Sequence, residues 1–176
     1  MKFSTRARYG LRMMVELSRA LEKKELVHLG QVARITGLSV NYLTQLAMPL
    51  KNNGLIIGVS GKKGGYKLGK PATEISIREI LEAVQGPTEL TDCVTNPDIC
   101  LNSSFCEARM IWVIASREMA GIFDKYTLAD LVNKDFKDGM RRKYPDEELL
   151  NPDKMMAEGS FTQNCPAGKI DKRSHL

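Results

Sequence analysis

The chain has 176 residues and a net charge of +5, and its positive charge sits in one half: residues 1–90 hold 14 Lys/Arg against 7 Asp/Glu, residues 91–176 hold 12 against 14. That length allows one ordinary domain, or a small domain with an oligomerisation arm, and a basic first half suits a polyanion such as DNA as well as a merely solvated surface. No apolar run approaches the roughly 20 residues of a membrane span, and the charged start, Met1 to Gly10, lacks the apolar stretch and cleavage site of a secretory signal, so a cytoplasmic protein with reduced thiols is expected.

Ser4 or Thr5 can cap a first helix running to about Leu21, with Leu11, Met14, Val15, Leu17 and Leu21 as its buried stripe. Arg6, Arg8 and Arg12 lie elsewhere on its surface, in reach of a phosphate backbone or of water. Leu29, Val32, Ala33 and Ile35 predict a short second helix from about His28, which Gly37 stops in a left-handed turn. Leu38 plugs the core, and Ser39 caps a third helix whose inner face is Leu43, Leu46, Ala47 and Leu50, ending at Asn53-Gly54. Pro49 lacks a backbone donor, so a kink or a frayed last turn is expected there.

Two short helices joined by a tight turn form a helix-turn-helix, in which the first residues of the second helix face base edges. Here these are Ser39, Val40, Asn41, Tyr42 and Gln45. Ser, Asn and Gln read bases by hydrogen bonds, and Tyr reaches phosphate. A plain helical hairpin with a polar surface would show the same spacing. Leu55 to Val59 and Tyr66 to Leu68 then read as two strands around the basic turn Ser60-Gly61-Lys62-Lys63-Gly64-Gly65, the wing of a winged helix. Lys62 and Lys63 at its tip suit a minor groove or phosphates. A nucleotide-phosphate loop would need Lys-Ser/Thr opening a helix, which is absent. The expected DNA-contacting set is Arg8, Ser39, Asn41, Tyr42, Gln45, Lys51, Ser60, Lys62, Lys63, Gly64 and Tyr66.

Beyond Pro71, Ile77, Ile80, Leu81 and Val84 give the core face of a fourth helix, stopped by Gly86-Pro87. Cys93, Cys100 and Cys106 follow in one loop, spaced C-x6-C-x5-C, with the last cysteine, Cys165, far away in the tail. From about Phe105 to Phe123 the chain reads as one long helix with a stripe of Ile111, Ala115, Met119, Ile122 and Phe123 and further apolar surface at Trp112, Val113 and Ile114. A helix apolar on more than one face needs two partners, so a homodimer is expected, which would set two reading heads on a pseudo-palindromic operator. Thr127 caps a short helix; residues 134–150 are charge-rich and compatible with helix, and 151–176 are polar and expected to be mobile.

The predicted fold is therefore mostly α with a small β-hairpin wing. A winged helix-turn-helix domain spans 1–90, a cysteine loop 91–107, the dimerisation helix and the short helix after it 105–133, and a polar tail 134–176. Three clustered thiols in a cytosolic chain leave three readings open: ligands of an iron–sulfur cluster, of zinc with one further donor, or redox-active thiols without metal. Spacings of six and five are wider than the usual zinc knuckle and favour a larger inorganic core. No Ser/His/Asp constellation or catalytic carboxylate pair stands out, so no enzyme is expected. An electron-transfer protein would leave the wing and the helix-turn-helix unexplained.

The opening K-F-S-T-R-A-R-Y-G-L-R, the helix S-V-N-Y-L-T-Q-L, the strand entry N-G-L-I, the wing G-K-K-G-G-Y-K-L-G-K-P and the three cysteines before the long helix occur in one order over roughly Met1 to Val132. This set resembles the Rrf-type winged-helix repressors, and among them the IscR-like iron–sulfur regulators. The resemblance implies a dimeric DNA-binding regulator, a repressor, whose operator affinity follows a cluster on Cys93, Cys100 and Cys106 and so reports iron–sulfur, redox or nitric oxide status. It suggests 2Fe–2S, while related nitric-oxide and iron sensors hold 4Fe–4S. Some members work without a cluster, so a winged-helix regulator using its cysteines as thiol sensor or zinc site is the alternative. In IscR-like members the fourth ligand is a histidine three residues after the last cysteine; Arg109 stands there and cannot ligate. Where other members use an aspartate near the N-terminus, this chain has Arg8. His28 and His175 are no obvious substitutes, which leaves Glu107, Asp92, Asp98, Cys165, a small thiol or water. Ser60 replaces an arginine that many relatives carry in the wing, which weakens any transfer of their sequence preference.

Overall fold

Ser4 takes up extended backbone and its hydroxyl accepts from Ala7 N, which opens α1 (Thr5–Leu21). The computed structural model describes residues 3–22, 26–61, 63–133 and 135–144. α1 is the central helix: α2 (Leu29–Thr36), α3 (Val40–Asn52), α4 (Ile77–Gln85) and α7 (Leu128–Val132) all pack on it. With neighbours on several sides, its buried set is Ala7, Gly10, Met13, Met14, Leu17 and Ser18, while Leu11, Val15 and Leu21 of the predicted stripe are only half-buried. Gly10 lets α1 and α4 approach, since a Cβ there would stand 3.1 Å from both Val84 methyls.

α2 ends at Gly37 with φ 71°, the left-handed stop its residue type predicts. Its inner face holds Leu29 and Val32, but Ile35 is 56% exposed. Thr36 turns inward instead and satisfies its hydroxyl locally, donating to Val32 O at 2.8 Å and accepting from Leu38 N at 3.4 Å. α3 is capped by Ser39, whose hydroxyl accepts from Tyr42 N, and buries Leu43, Leu46, Ala47 and Leu50 as expected. The helix runs past Pro49 to Asn52 rather than fraying. Asn53 holds that last turn, donating both its N–H and its side-chain amide to Pro49 O.

β1 (Ile56–Val59) and β2 (Gly65–Leu68) pair antiparallel, Ile56 opposite Leu68 and Val59 opposite Gly65. A third short edge was not expected: Val27, just before α2, exchanges both backbone hydrogen bonds with Tyr66, at 2.9 and 2.8 Å. The wing is thereby sewn to the helix-turn-helix. Ser76 then caps α4 in a reciprocal box with Glu79, and Ile77, Ile80, Leu81 and Val84 enter the core.

The cysteine segment carries the short helix α5 (Asp92–Thr95) and two 3-10 turns, Pro97–Ile99 and Ser103–Phe105. Phe105 belongs to the second turn, so α6 (Glu107–Asp124) starts two residues later than its periodicity predicts. α6 buries only Ser116 and Ala120. The chain then returns to the first core: Leu128 is fully buried among the residues of α1 and α4, Leu128 N donates to Ile75 O, and Ile77 N to Tyr126 O. α8 (Phe136–Lys143) follows, with Phe136 edge-on to Tyr126. The expected tail beyond Tyr144 lies outside the described residues, and no helix among the described residues is long and apolar enough to cross a membrane.

Candidate functional site

Two features hold the expected site residues, the exposed face of α3 with the wing and the cysteine loop. On α3, Ser39, Asn41, Gln45 and Lys51 are exposed, and the same face continues through Thr44 and Met48. Tyr42 is half-buried, its ring edge-on to Tyr9 of α1 at 6.0 Å, and the Arg8 guanidinium lies 5.9 Å from the Tyr9 centroid. The end of α1 that bears Arg8 is thus fixed beside the start of α3. Between α3 and the wing runs a groove of about 600 Å³, lined by Val40, Thr44 and Lys51 on one side and Val59, Ser60 and Tyr66 on the other. Lys63 is exposed at the wing tip and Gly64 is buried; Lys62 lies outside the described residues. Gly64 shapes the turn, because a Cβ there would run into the carbonyl oxygens of Val59 and Gly61. Of the expected set, Lys51, Ser60, Gly64 and Tyr66 line this groove, while Ser39, Asn41 and Gln45 are exposed on α3.

The second feature is the cysteine loop. Cys93 sits in α5, Cys100 is exposed, and Cys106 precedes α6; all three are free thiols. Thr91 Oγ1 lies 3.3 Å from Cys93 Sγ. Arg109, in the first turn of α6, donates from Nε to Cys93 O at 2.7 Å, so the two ends of the loop are clamped together. Ser116 of α6 accepts from Leu90 N at 3.1 Å just upstream. α6 is tied in turn to α4: Arg78 pairs with Glu82 at 2.8 Å and with Asp124 at 3.1 Å, and these hydrogen bonds push its pKa above the ordinary arginine value.

Whether the loop suits a metal group can be judged from its donors and packing. Among the described residues no three His, Cys, Asp or Glu side chains are gathered as a group that could hold a metal ion. Yet no residue from Thr91 to Ala108 is buried, so the loop can close without breaking the core. Three thiolates from one exposed loop fit the donor chemistry of an iron–sulfur cluster. Asp92, Asp98 and Glu107 are exposed on the same loop and remain eligible as a fourth donor, while Cys165 and His175 lie outside the described residues.

Residues 3–134 match the Rrf2 family, described as iron-dependent transcriptional regulators. The chain belongs to the Rrf2 family. It is 34% identical over 134 residues to the HTH-type transcriptional regulator IscR of Serratia proteamaculans, covering 76% of this chain and 80% of that protein. An Escherichia coli IscR is 32% identical over 133 residues, with 76% and 81% covered. Among solved structures, CymR, the global cysteine regulator of B. subtilis, superposes with a TM-score of 0.62 at 32% identity, over 75% of this chain and 96% of that one. An oxidized form of Staphylococcus aureus CymR gives 0.59 at 35% identity, over 76% and 97%, and T. potens IscR gives 0.60 at 27% identity, over 75% and 86%. This Rrf2 chain is an IscR- and CymR-like transcriptional regulator on a winged-helix fold. The residue reading passed over Thr44, which lines the groove, and the hydrogen bond from Arg109 to Cys93 O. Thr44 carried the signal of helical spacing from Val40; nothing in the sequence pairs Arg109 with the Cys93 carbonyl.

Proposed function

We propose that this chain is a homodimeric DNA-binding repressor whose operator affinity is set by an iron–sulfur cluster on Cys93, Cys100 and Cys106. The observation that carries the reading is the clamped cysteine loop: three free thiols on an exposed segment tied by Arg109 to the first turn of the long helix, which Arg78 ties to the winged core. When bound, such a cluster supplies a thiolate-held inorganic core reactive toward oxidants and nitric oxide. The chain supplies the rest. Val27, Tyr66 and the α3 cap hold the reading helix and wing in register, and Arg109, Ser116 and Arg78 connect loop, α6 and α4. A change in the loop alters operator affinity only insofar as two arrangements of these ties bind DNA differently. The exposed apolar residues of α6 support the dimer, and the IscR resemblance supports 2Fe–2S over 4Fe–4S.

A second reading, cluster-free thiol regulation, is favoured by the similarity to CymR, one of whose structures is an oxidized form, and by thiols not gathered in the described residues. Anaerobic purification with an ultraviolet–visible spectrum and iron and sulfide counts separates the two. Visible charge-transfer bands, stoichiometric iron and sulfide, and a changed operator affinity in Cys→Ala variants are expected. A colourless protein after reconstitution, or equal operator affinity of loaded and Cys→Ala proteins, would sink the cluster-sensing reading.

A further inference from the structure

Thr44 lies midway along the exposed face of α3, yet its donor is spent inside the helix. Its hydroxyl donates to Val40 O at 2.9 Å, so a ligand meets its methyl and the oxygen's lone pairs. Val40, one turn earlier, is 46% exposed, and Met48, one turn later, is 60% exposed. Spacing of four places these three in one row, beside the polar row of Asn41 and Gln45. Val40 and Thr44 both line the groove facing the wing, together with Lys51. A helix surface that only meets water is better served by Ala, Glu or Lys, because β-branched residues lose side-chain freedom in a helix. A carbon-rich row on a major-groove reading face has a specific counterpart: the 5-methyl of thymine, which distinguishes T·A from C·G and fixes the orientation of the pair.

We propose that Val40 and Thr44 are specificity residues that read thymine 5-methyl groups, complementing the hydrogen-bond reading by Asn41 and Gln45. The inference rests on the DNA-binding reading above. It makes thymine at fixed operator positions a requirement set by methyl contact, separable from the thymine O4 acceptor.

Uracil is the test, since it keeps every hydrogen-bonding group of thymine and lacks only the methyl. Full-length protein selects duplexes from a randomised pool, and the recovered duplex is rebuilt with uracil at one thymine at a time. Wild type should lose roughly fourfold in affinity at one or two thymines of each half-site, the worth of about one buried carbon group. Val40→Ala and Thr44→Ser should each make one of those positions indifferent to uracil. Thr44→Ser keeps the hydroxyl and removes only the methyl, and thermal melts check that both exposed-site variants fold. A flat uracil scan in wild type, or equal losses in wild type and both variants, would overturn the inference. Failure to enrich any duplex would overturn the DNA-binding reading itself, and this inference with it.

Discussion

Gly69 shows how a single residue can be required by a neighbour that its own segment does not reveal. Its N–H donates to Leu55 O at 2.9 Å, where the chain leaves β2 beside the entry to β1. A Cβ at this position would overlap the Gly54 carbonyl oxygen, a backbone atom that cannot rotate aside. Gly69→Ala should therefore cost about 2–3 kcal/mol or more, through overpacking and loss of that hydrogen bond, read as a lower urea midpoint at unchanged slope. An unchanged midpoint would mean that the wing base is far more pliant than this close approach implies. Gly37 was legible in the sequence because a left-handed stop after a helix is a local signal, whereas the constraint on Gly69 comes from the opposite strand. The placing of three cysteines in one loop before α6 is likewise a local feature of the sequence. The Arg109 clamp was not legible, because sequence alone does not say which carbonyl a guanidinium will meet.

At the scale of elements, the core face of α4 was read from simple periodicity, whereas the four-residue box that fixes its start, Ser76 to Glu79, was passed over although it is a local pattern. What lies behind Glu79 could not be read from the sequence. Lys70, at the exit of the wing, reaches its carboxylate at 2.6 Å, and Ser76 N donates to its other oxygen at 2.9 Å. Partial burial raises the pKa of Glu79, but the hydrogen bonds from Lys70 and Ser76 outweigh it, and the carboxyl sits below its ordinary 4.5. A depressed folded-state pKa contributes stability that is present above 4.5 and is lost as pH falls through the lower folded value. Glu79→Gln keeps an acceptor for Ser76 N and removes the charge facing Lys70. It should destabilise by about 0.5–1 kcal/mol at neutral pH, with the gap to wild type closing in melts taken below the folded pKa. A gap constant from neutral to acid pH would show that the Lys70 pair contributes nothing.

α6 sets the question for the whole molecule. Its inward side is small and polar, Ser116 and Ala120, and rests on α4 and α5. The sequence pattern placed Ile111, Ala115, Met119, Ile122 and Phe123 on one stripe, but the helix divides them: Ile111 and Ile122 are 61% and 51% exposed, whereas Phe123 is half-buried against Phe3 of the amino-terminal segment. Periodicity could show that the helix was apolar on more than one side, not which side its own chain would cover. Met110, Ile111, Trp112 and Ile114 form an exposed run just beyond the cysteine loop. In the proposed dimer a second copy covers this run, and neither chain needs it for its own core. Ile111→Asp with Ile114→Asp should thus leave the winged core folded, with circular dichroism like that of the wild type, while the melting temperature loses the concentration-dependent share that dimer formation adds. The same pair should convert the protein to a monomer in analytical ultracentrifugation. Operator binding should weaken sharply, because two heads joined on one palindromic site gain effective concentration that separate heads lack. A single half-site duplex should be bound equally by both forms. A variant that remains dimeric would place the subunit contact elsewhere on the chain, and one that unfolds would show that α6 depends on its partner to fold at all.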